Sequence, residues 1–159
     1  TPLSSSAASD VYKRQVTIQG LPDKPGIAAA VFGELAENHI NVDMIVQSAA
    51  SEGQLTDITF SLGRGDLSKA LGIIDASRDR LGFQGIDSKD DVTKISVVGT
   101  AMRSQPGVAR TMFETLADRG INIEVISTSE IKISVLVSAE YTELAVRSLH
   151  TAFGLDGED

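Results

Sequence analysis

Two stretches decide the fold, "PGIAAAVFGELAENHINVDMIVQS" at 25–48 and "PGVARTMFETLADRGINIEVISTS" at 106–129. Ten of their 24 aligned pairs are identical, including the opening Pro-Gly. The register then shifts by six residues across the polar, glycine-bearing segment 50–56, after which "DITFSL" (57–62) matches "KISVLV" (132–137). Insertions of this size belong in loops, so the matches before and after the shift are parts of one repeat. The chain therefore carries a duplicated unit of about 70 residues.

Each copy predicts the same order of elements: strand, helix, strand, strand, helix. β-branched runs that end at glycine predict the first strands at 16–21 and 94–99. The first helix of each copy has one apolar face, formed by Ile27, Val31, Leu35 and Ala36 or by Val108, Met112 and Leu116. The later elements are predicted at 40–48, 56–62 and 66–82 in the first copy and at 121–129, 131–138 and 141–154 in the second, with a weak fourth strand at 83–91.

This order predicts an α+β protein with two ferredoxin-like βαββαβ domains, each an antiparallel sheet with helices on one face. The second copy has no strand after its last helix, so that strand is either missing or supplied from elsewhere. The Ser/Ala-rich start of the chain is a poor donor, and we expect it to be disordered or non-native. The predicted divisions are a segment 1–15, domains 16–91 and 92–155, and an acidic tail 156–159.

Composition excludes several classes of function. A net charge of −8 and an aromatic content of 4% argue against nucleic-acid binding, which uses clustered cations and stacking side chains. No apolar run approaches a membrane span, and no cysteine can form a disulfide or hold zinc. Without a secretory pattern the expected location is cytoplasmic. Neither of the common glycine-rich phosphate loops occurs, and we expect no cofactor.

The Pro-Gly pair before each repeated helix has two interpretations. In the structural one, proline fixes φ at the helix entry and glycine permits the tight turn from the strand. In the functional one, the N–H groups of Gly26, Ile27 and Ala28 bind an anion at the positive end of the helix dipole. Asp23 would then accept an α-ammonium group, so the turn suits a free amino acid.

The segments "LPDKPGIAAAVF" and "INIEVISTSEIKISVLV" resemble the tandem ACT domains of aspartate kinase, especially its separately translated regulatory β-subunits. This resemblance covers residues 16–155 and implies an allosteric module for feedback inhibition in lysine, threonine and methionine biosynthesis. Threonine is the expected effector, and lysine is a second candidate. The implied partners are a second copy, through ACT–ACT pairing, and the catalytic α-subunit or domain. The "KFGG" opening of the catalytic part (ATP:aspartate 4-phosphotransferase) is absent, so no enzyme activity is expected of this chain alone.

The resemblance also implies the effector site. The first pocket comprises Asp23, Pro25, Gly26, Ile27, Ala28 and Gln47, completed by Asn122 and Ile123 of the partner chain. The amides of Ile27 and Ala28 would hold the carboxylate, and Asp23 with a backbone carbonyl near residue 122 would hold the ammonium. Gln47 would meet a hydroxyl, which suits threonine. Internal symmetry implies a second pocket of Ser104, Gly107, Val108, Ala109 and Thr128 facing Asn41 and Val42. Because Ser104 stands where the first pocket has Asp23, the ligand of the second pocket stays open.

Two other functions remain open: an ACT pair that serves another amino-acid pathway enzyme, and a ferredoxin-like interaction module without a small ligand. Asp43 and Glu124 occupy equivalent positions, and we expect charged strand starts there rather than a catalytic carboxylate pair. In "GRGD" at 63–66, Asp66 is predicted to cap the following helix. His39 and His150 stand without nearby ligands, so no metal site is predicted.

Overall fold

The computed structural model describes residues 7–49, 54–98 and 107–154. These residues form six strands, five α-helices and two short 3₁₀ helices. The elements are β1 (Ala7–Pro22), α1 (Ile27–Glu37), β2 (Val42–Ala49), β3 (Leu55–Leu62), α2 (Leu67–Ala76), α3 (Arg78–Leu81), β4 (Gly85–Val98), α4 (Val108–Asp118), β5 (Ile123–Thr128), β6 (Lys132–Ser138) and α5 (Thr142–Ala152).

The chain divides into two compact units. The first spans Lys13–Asp90, and the second combines residues 7–12 with the described residues from 91 onward. The strand order is β2-β3-β1-β4 in the first unit and β1-β4-β6-β5 in the second. β3 pairs antiparallel with β1 and β2, as β6 does with β4 and β5. Each unit therefore has the predicted ferredoxin-like α+β architecture.

The main difference from the sequence-based prediction lies in β1. This strand begins at Ala7, so residues 7–15 are part of a sheet and are not disordered; residues 1–6 lie outside the described residues. The expectation that this segment is non-native stays a prediction. The first six residues of β1 supply the fourth strand that the second copy lacks. Their Ser/Ala-rich composition gave little strand signal, because strand formation depends more on pairing partners than on intrinsic preference.

The second difference concerns β4, which joins two predicted elements in one strand. The weak fourth strand of the first copy and the first strand of the second copy run together as Gly85–Val98. The division between the units falls inside this strand, after Asp90. The chain thus passes from one unit to the other within a strand, without a linker.

Each unit has its own apolar core between its helices and its sheet. In the first, Ile27, Val31 and Leu35 of α1 are buried, while Ala36, predicted on the same face, is exposed. In the second, Val108, Met112 and Leu116 of α4 are buried as predicted. Burial of each large apolar side chain contributes about 1.5–3 kcal/mol to folding, so these helix faces fix the helix starts against the sheets.

The first helix of each unit is followed by a left-handed residue. Gly120 after α4 has φ 70°, and His39 after α1 has φ 62°, so a non-glycine residue occupies the left-handed position in the first unit. Asp66 precedes α2 as predicted, but its side chain makes no capping hydrogen bond. A 3₁₀ turn at Arg64–Asp66 leads into the helix instead.

Candidate functional site

The turn between β1 and α1 is held in place by hydrogen bonds from both sides. A bulge near Gly20 distorts the end of β1, and the Gly20 amide donates to an Asp57 carboxylate oxygen at 2.9 Å. The Asp23 amide donates to the Gln54 carbonyl at 2.6 Å. The carboxylate of Asp23 is exposed. The backbone of the turn is therefore fixed while its acidic side chain faces solvent.

Gly26 opens α1 in a conformation that only glycine adopts readily. It has φ 90° and ψ −6°, and no side chain caps the helix. A Cβ built on Gly26 would meet no atom within 4 Å, so the space above the helix start is open.

The amides at this helix start differ from the prediction in one respect. The Ile27 amide donates to the Lys24 carbonyl at 3.2 Å, so it is not free to hold a carboxylate as predicted. Helical pairing begins with the Ala30 amide, which donates to the Gly26 carbonyl at 2.9 Å. Within the part of the chain that the structure describes, the amides of Ala28 and Ala29 donate to no backbone carbonyl. That amides of this turn hold an anion stays a prediction.

Gln47 lies at the same end of the first sheet as the turn. In the pairing register it faces Ile58 of β3, which faces Ile18 of β1. Since β1 and β2 are both antiparallel to β3, they end on the same side. The Gln47 side chain is exposed on the edge strand β2. The fold thus brings to one end of the unit residues that stand about 20 positions apart in the sequence.

In the second unit, Asn122 and Ile123 lie at the end of the sheet opposite to that unit's own Pro-Gly turn. Asn122 is exposed, and Ile123 begins β5 opposite Val137 of β6. Their counterparts in the first unit, Asn41 and Val42, stand at the start of β2. Within each unit the Asn end and the Pro-Gly end therefore lie at opposite ends of the sheet. The meeting of the first turn with Asn122 and Ile123 of a partner chain stays a prediction.

The second predicted pocket repeats the geometry of the first where the structure describes it. Gly107 opens α4 with φ 98°, and a Cβ there would also meet nothing within 4 Å. Val108 is buried, Ala109 is half-buried, and Thr128 is exposed at the end of β5. Ser104 lies outside the described residues.

The other candidate residues have structural roles or stand apart. Asp43 lies 3.9 Å from the Lys13 ammonium, and its carboxylate accepts the Met44 amide at 2.9 Å, which stabilises the bulge in β2. Glu124 belongs to the other unit.

Among the described residues no group of three potential metal ligands converges. No helix within those residues is long and apolar enough to cross a membrane.

A groove in the second unit was not predicted. It lies between β1 and α5 and has a volume of about 700 Å³. Its lining residues are Asp10, Tyr12, Ala139, Glu140, Thr142, Glu143, Val146, Arg147 and His150. The sequence gives little signal for it, since "DVYKRQV" at 10–16 contains the strand-favouring Val11, Tyr12 and Val16 but no regular alternation.

Comparison with known proteins agrees with this architecture. Two family models described as ACT domain match residues 15–79 and 95–153. A crystal structure of aspartokinase alpha and beta subunits has a chain 45% identical, with a TM-score of 0.87, that covers 94% of this chain and is itself 98% covered. The ligand-free regulatory subunit of aspartate kinase from Thermus thermophilus is 38% identical, with a TM-score of 0.84 and coverages of 93% and 96%. The chain belongs to the family of aspartate kinase regulatory subunits.

Complete aspartate kinases match this chain over only part of their own length. This regulatory chain is 44% identical to the aspartate kinase of Pseudomonas putida over 155 residues, which is 98% of the chain but 38% of that protein. The aspartokinase of Mycobacterium tuberculosis is 44% identical over 159 residues, again 38% of its length. The 159 residues therefore correspond to the regulatory part of such kinases and not to their catalytic part. The predicted resemblance is confirmed.

Proposed function

We propose that the chain senses a free amino acid and transmits its binding to the catalytic part of aspartate kinase as feedback inhibition. Threonine is the proposed effector, and lysine is a second candidate. The observation that carries the proposal is the uncapped start of α1, where Gly26 is left-handed, the amides of Ala28 and Ala29 have no backbone acceptor among the described residues, and Asp23 of the same turn is exposed.

The chemistry of this turn suits an α-amino acid. The amides of Ala28 and Ala29 would bind the carboxylate at the positive end of the helix dipole. The Asp23 carboxylate would bind the ammonium group. Gln47, at the same end of the sheet, can hydrogen-bond the hydroxyl of threonine. Pro25 fixes the helix entry, and a partner chain would complete the pocket with Asn122 and Ile123.

We propose that the partner chain is a second copy, joined through ACT–ACT pairing. Ile45 on β2 and Ile126 on β5 support this, because they occupy equivalent positions on the two edge strands and are 50% and 44% exposed. Exposed apolar residues on a strand edge favour pairing with another strand. Effector bound across such an interface would favour one arrangement of the dimer, with a coupling of about 1–3 kcal/mol that a catalytic α-subunit or domain would sense. The cytoplasm is the proposed location.

The second pocket, around Gly107 and Thr128, has the same helix start but has Ser104 in place of Asp23. A hydroxyl holds an ammonium group less strongly than a carboxylate does. We therefore propose that threonine binds first at the Gly26 turn, and that the Gly107 turn is the weaker site or takes a different amino acid.

Isothermal titration of the chain with threonine, with lysine and with both tests the proposal. Saturable threonine binding is expected, and Gln47→Ala should weaken it by about 10-fold because the hydroxyl loses its partner. Gln19→Ala, which changes another exposed glutamine of the same unit, is the matched control and should leave the affinity unchanged. Absence of heat with threonine, lysine and their mixture would contradict the sensor function and favour an interaction module.

A further inference from the structure

We propose that Asp57 is a positioning residue for the effector site. Its carboxylate fixes the bulge in β1 that sets the Gly26 turn, and Lys132 leaves the second copy without this hydrogen-bond acceptor. The inference rests on the proposed function and deepens it, since it names a residue outside the predicted pocket on which threonine affinity depends. It concerns the first unit alone, which contains Asp57, the turn and Gln47.

The pairing of β1 with β3 contains a bulge, and Asp57 lies opposite it. Where the register shifts, Gln19 and Gly20 of β1 stand opposite this one residue of β3. A bulge disrupts the ladder and leaves its extra residue unpaired. Gly20 has φ 71°, and its amide donates to a carboxylate oxygen of Asp57 at 2.9 Å. The Asp57 side chain thus supplies an acceptor that the ladder does not.

The other side of the bulge is held by the segment that follows α3. The Gln84 amide donates to the Gln19 carbonyl at 2.8 Å. A Cβ built on Gly20 would lie 2.7 Å from atoms of the Gln84 side chain, so this side chain lies directly against Gly20. The bulge is therefore held from two sides, and loss of the Asp57 bond would free one of them.

The start of β3 connects the two parts of the predicted pocket. The Gln54 carbonyl accepts the Asp23 amide at 2.6 Å, which ties the turn to β3. The Thr56 hydroxyl donates to the Ser48 carbonyl at 2.9 Å, which ties β3 to β2 beside Gln47. A ligand that contacts both the turn and β2 needs them at a fixed separation, and a displacement of about 1 Å loosens such a site. A residue that fixes the bulge should therefore control affinity without touching the ligand.

The second unit has regular pairing where the first has its bulge. In the repeat Lys132 takes the place of Asp57, and it pairs with Val98 at the end of a run of consecutive pairs between β4 and β6. A Lys ammonium donates hydrogen bonds and cannot accept one from an amide. The described part of the second unit therefore lacks the side-chain acceptor of the first. This is a reason, besides Ser104, for weaker binding at the Gly107 turn.

Threonine titration of Asp57 variants tests the proposal. Asp57→Ala should weaken binding by about 10-fold, because the Gly20 amide loses its acceptor. Asp57→Asn should stay within about 3-fold of the unaltered chain, since its amide oxygen can still accept. Asp57→Lys, which copies the second unit, should bind at least as weakly as Asp57→Ala. Ser61→Ala is the matched control, because it removes a hydroxyl that donates to the Asp43 carbonyl at 3.1 Å at the far end of β3, and should change affinity less than about 2-fold.

Amide hydrogen exchange gives a readout that needs no ligand. Without any amino acid, Asp57→Ala should speed exchange of the Gly20 amide by at least about 10-fold, and Asp57→Asn should speed it much less. Ser61→Ala should leave it unchanged. Urea unfolding of each variant completes the comparison. Similar stability losses in Asp57→Ala and Ser61→Ala, with different threonine affinities, would separate positioning from general destabilisation.

Unchanged exchange at Gly20 in Asp57→Ala would overturn the proposal. Equal losses of threonine affinity in Asp57→Ala and Asp57→Asn would also overturn it, because the charge and not the hydrogen bond would then matter. So would an equal loss in Ser61→Ala. The two proposals fail separately. If the unaltered chain bound neither threonine nor lysine, the proposed function would fail, and exchange at Gly20 would still decide whether Asp57 fixes the turn.

Discussion

At the scale of single residues, the two Pro-Gly turns use glycine for its backbone angle. Gly26 and Gly107 have φ values of 90° and 98°, and a Cβ added at either position would meet no atom within 4 Å. Alanine at such an angle costs about 1–2 kcal/mol through contacts within its own backbone. The sequence predicts the need for glycine. It does not predict which amides stay free, because the bond from Ile27 to the Lys24 carbonyl depends on the detailed shape of the turn.

Gly26→Ala should lower stability by about 1–2 kcal/mol and also weaken threonine binding at least about 10-fold, because its methyl group enters the space above the free amides. Gly107→Ala is the matched control, since it introduces the same strain in the other unit and should leave binding at the Gly26 turn intact. Urea unfolding and isothermal titration measure the two effects. Equal threonine affinity in both variants would contradict the assignment of the pocket.

At the scale of elements, periodicity predicts the helices well and the strands unevenly. The buried positions of α1 and α4 follow from their spacing, because an amphipathic helix shows its core face within its own sequence. The first half of β1 has no such pattern in its own sequence. Its partner in the second unit, β4, lies far along the chain, beginning only at Gly85, and only pairing with β4 makes a strand of Ala7–Tyr12.

The edge strands β2 and β5 give a prediction at this scale. Ile45→Lys should weaken self-association by about 10-fold, because a charge would have to be buried where two edges pair. Asn38→Lys, a polar change at the end of α1, serves as the control for added charge. Sedimentation equilibrium with and without threonine measures the effect. A dimer of unchanged strength in Ile45→Lys would place the interface elsewhere.

At the scale of the whole molecule, the duplication predicts two units but not how the chain is shared between them. The second unit takes its fourth strand from the start of the chain, and β1 and β4 each contribute to both units. The residues of the candidate site are likewise divided between units. Its turn and edge strand come together within one unit, while the partner residues that the family resemblance implies lie at the far end of the other unit's sheet. Sequence alone gives the residues of such a site and not their assembly.

Removal of residues 1–12 should destabilise the second unit selectively, because its sheet would lose one of its four strands. We expect faster hydrogen exchange in β4 after Asp90 and in α5, with protection in α1 and β3 nearly unchanged. Removal of residues 1–6 alone, which leaves β1 complete, is the control. Equal loss of protection in both units would show that they unfold as one cooperative body.

The shared strand also sets an order of folding during synthesis. Ala7–Tyr12 leaves the ribosome before the rest of both units, yet its neighbour in the second unit is translated only after residue 90. The first unit, by contrast, is contiguous and can fold as soon as Asp90 has emerged. Ala7–Tyr12 therefore stays unpaired in its own unit until the residues after 90 have been synthesised. During that interval the nascent chain is most open to mispairing or to chaperone binding.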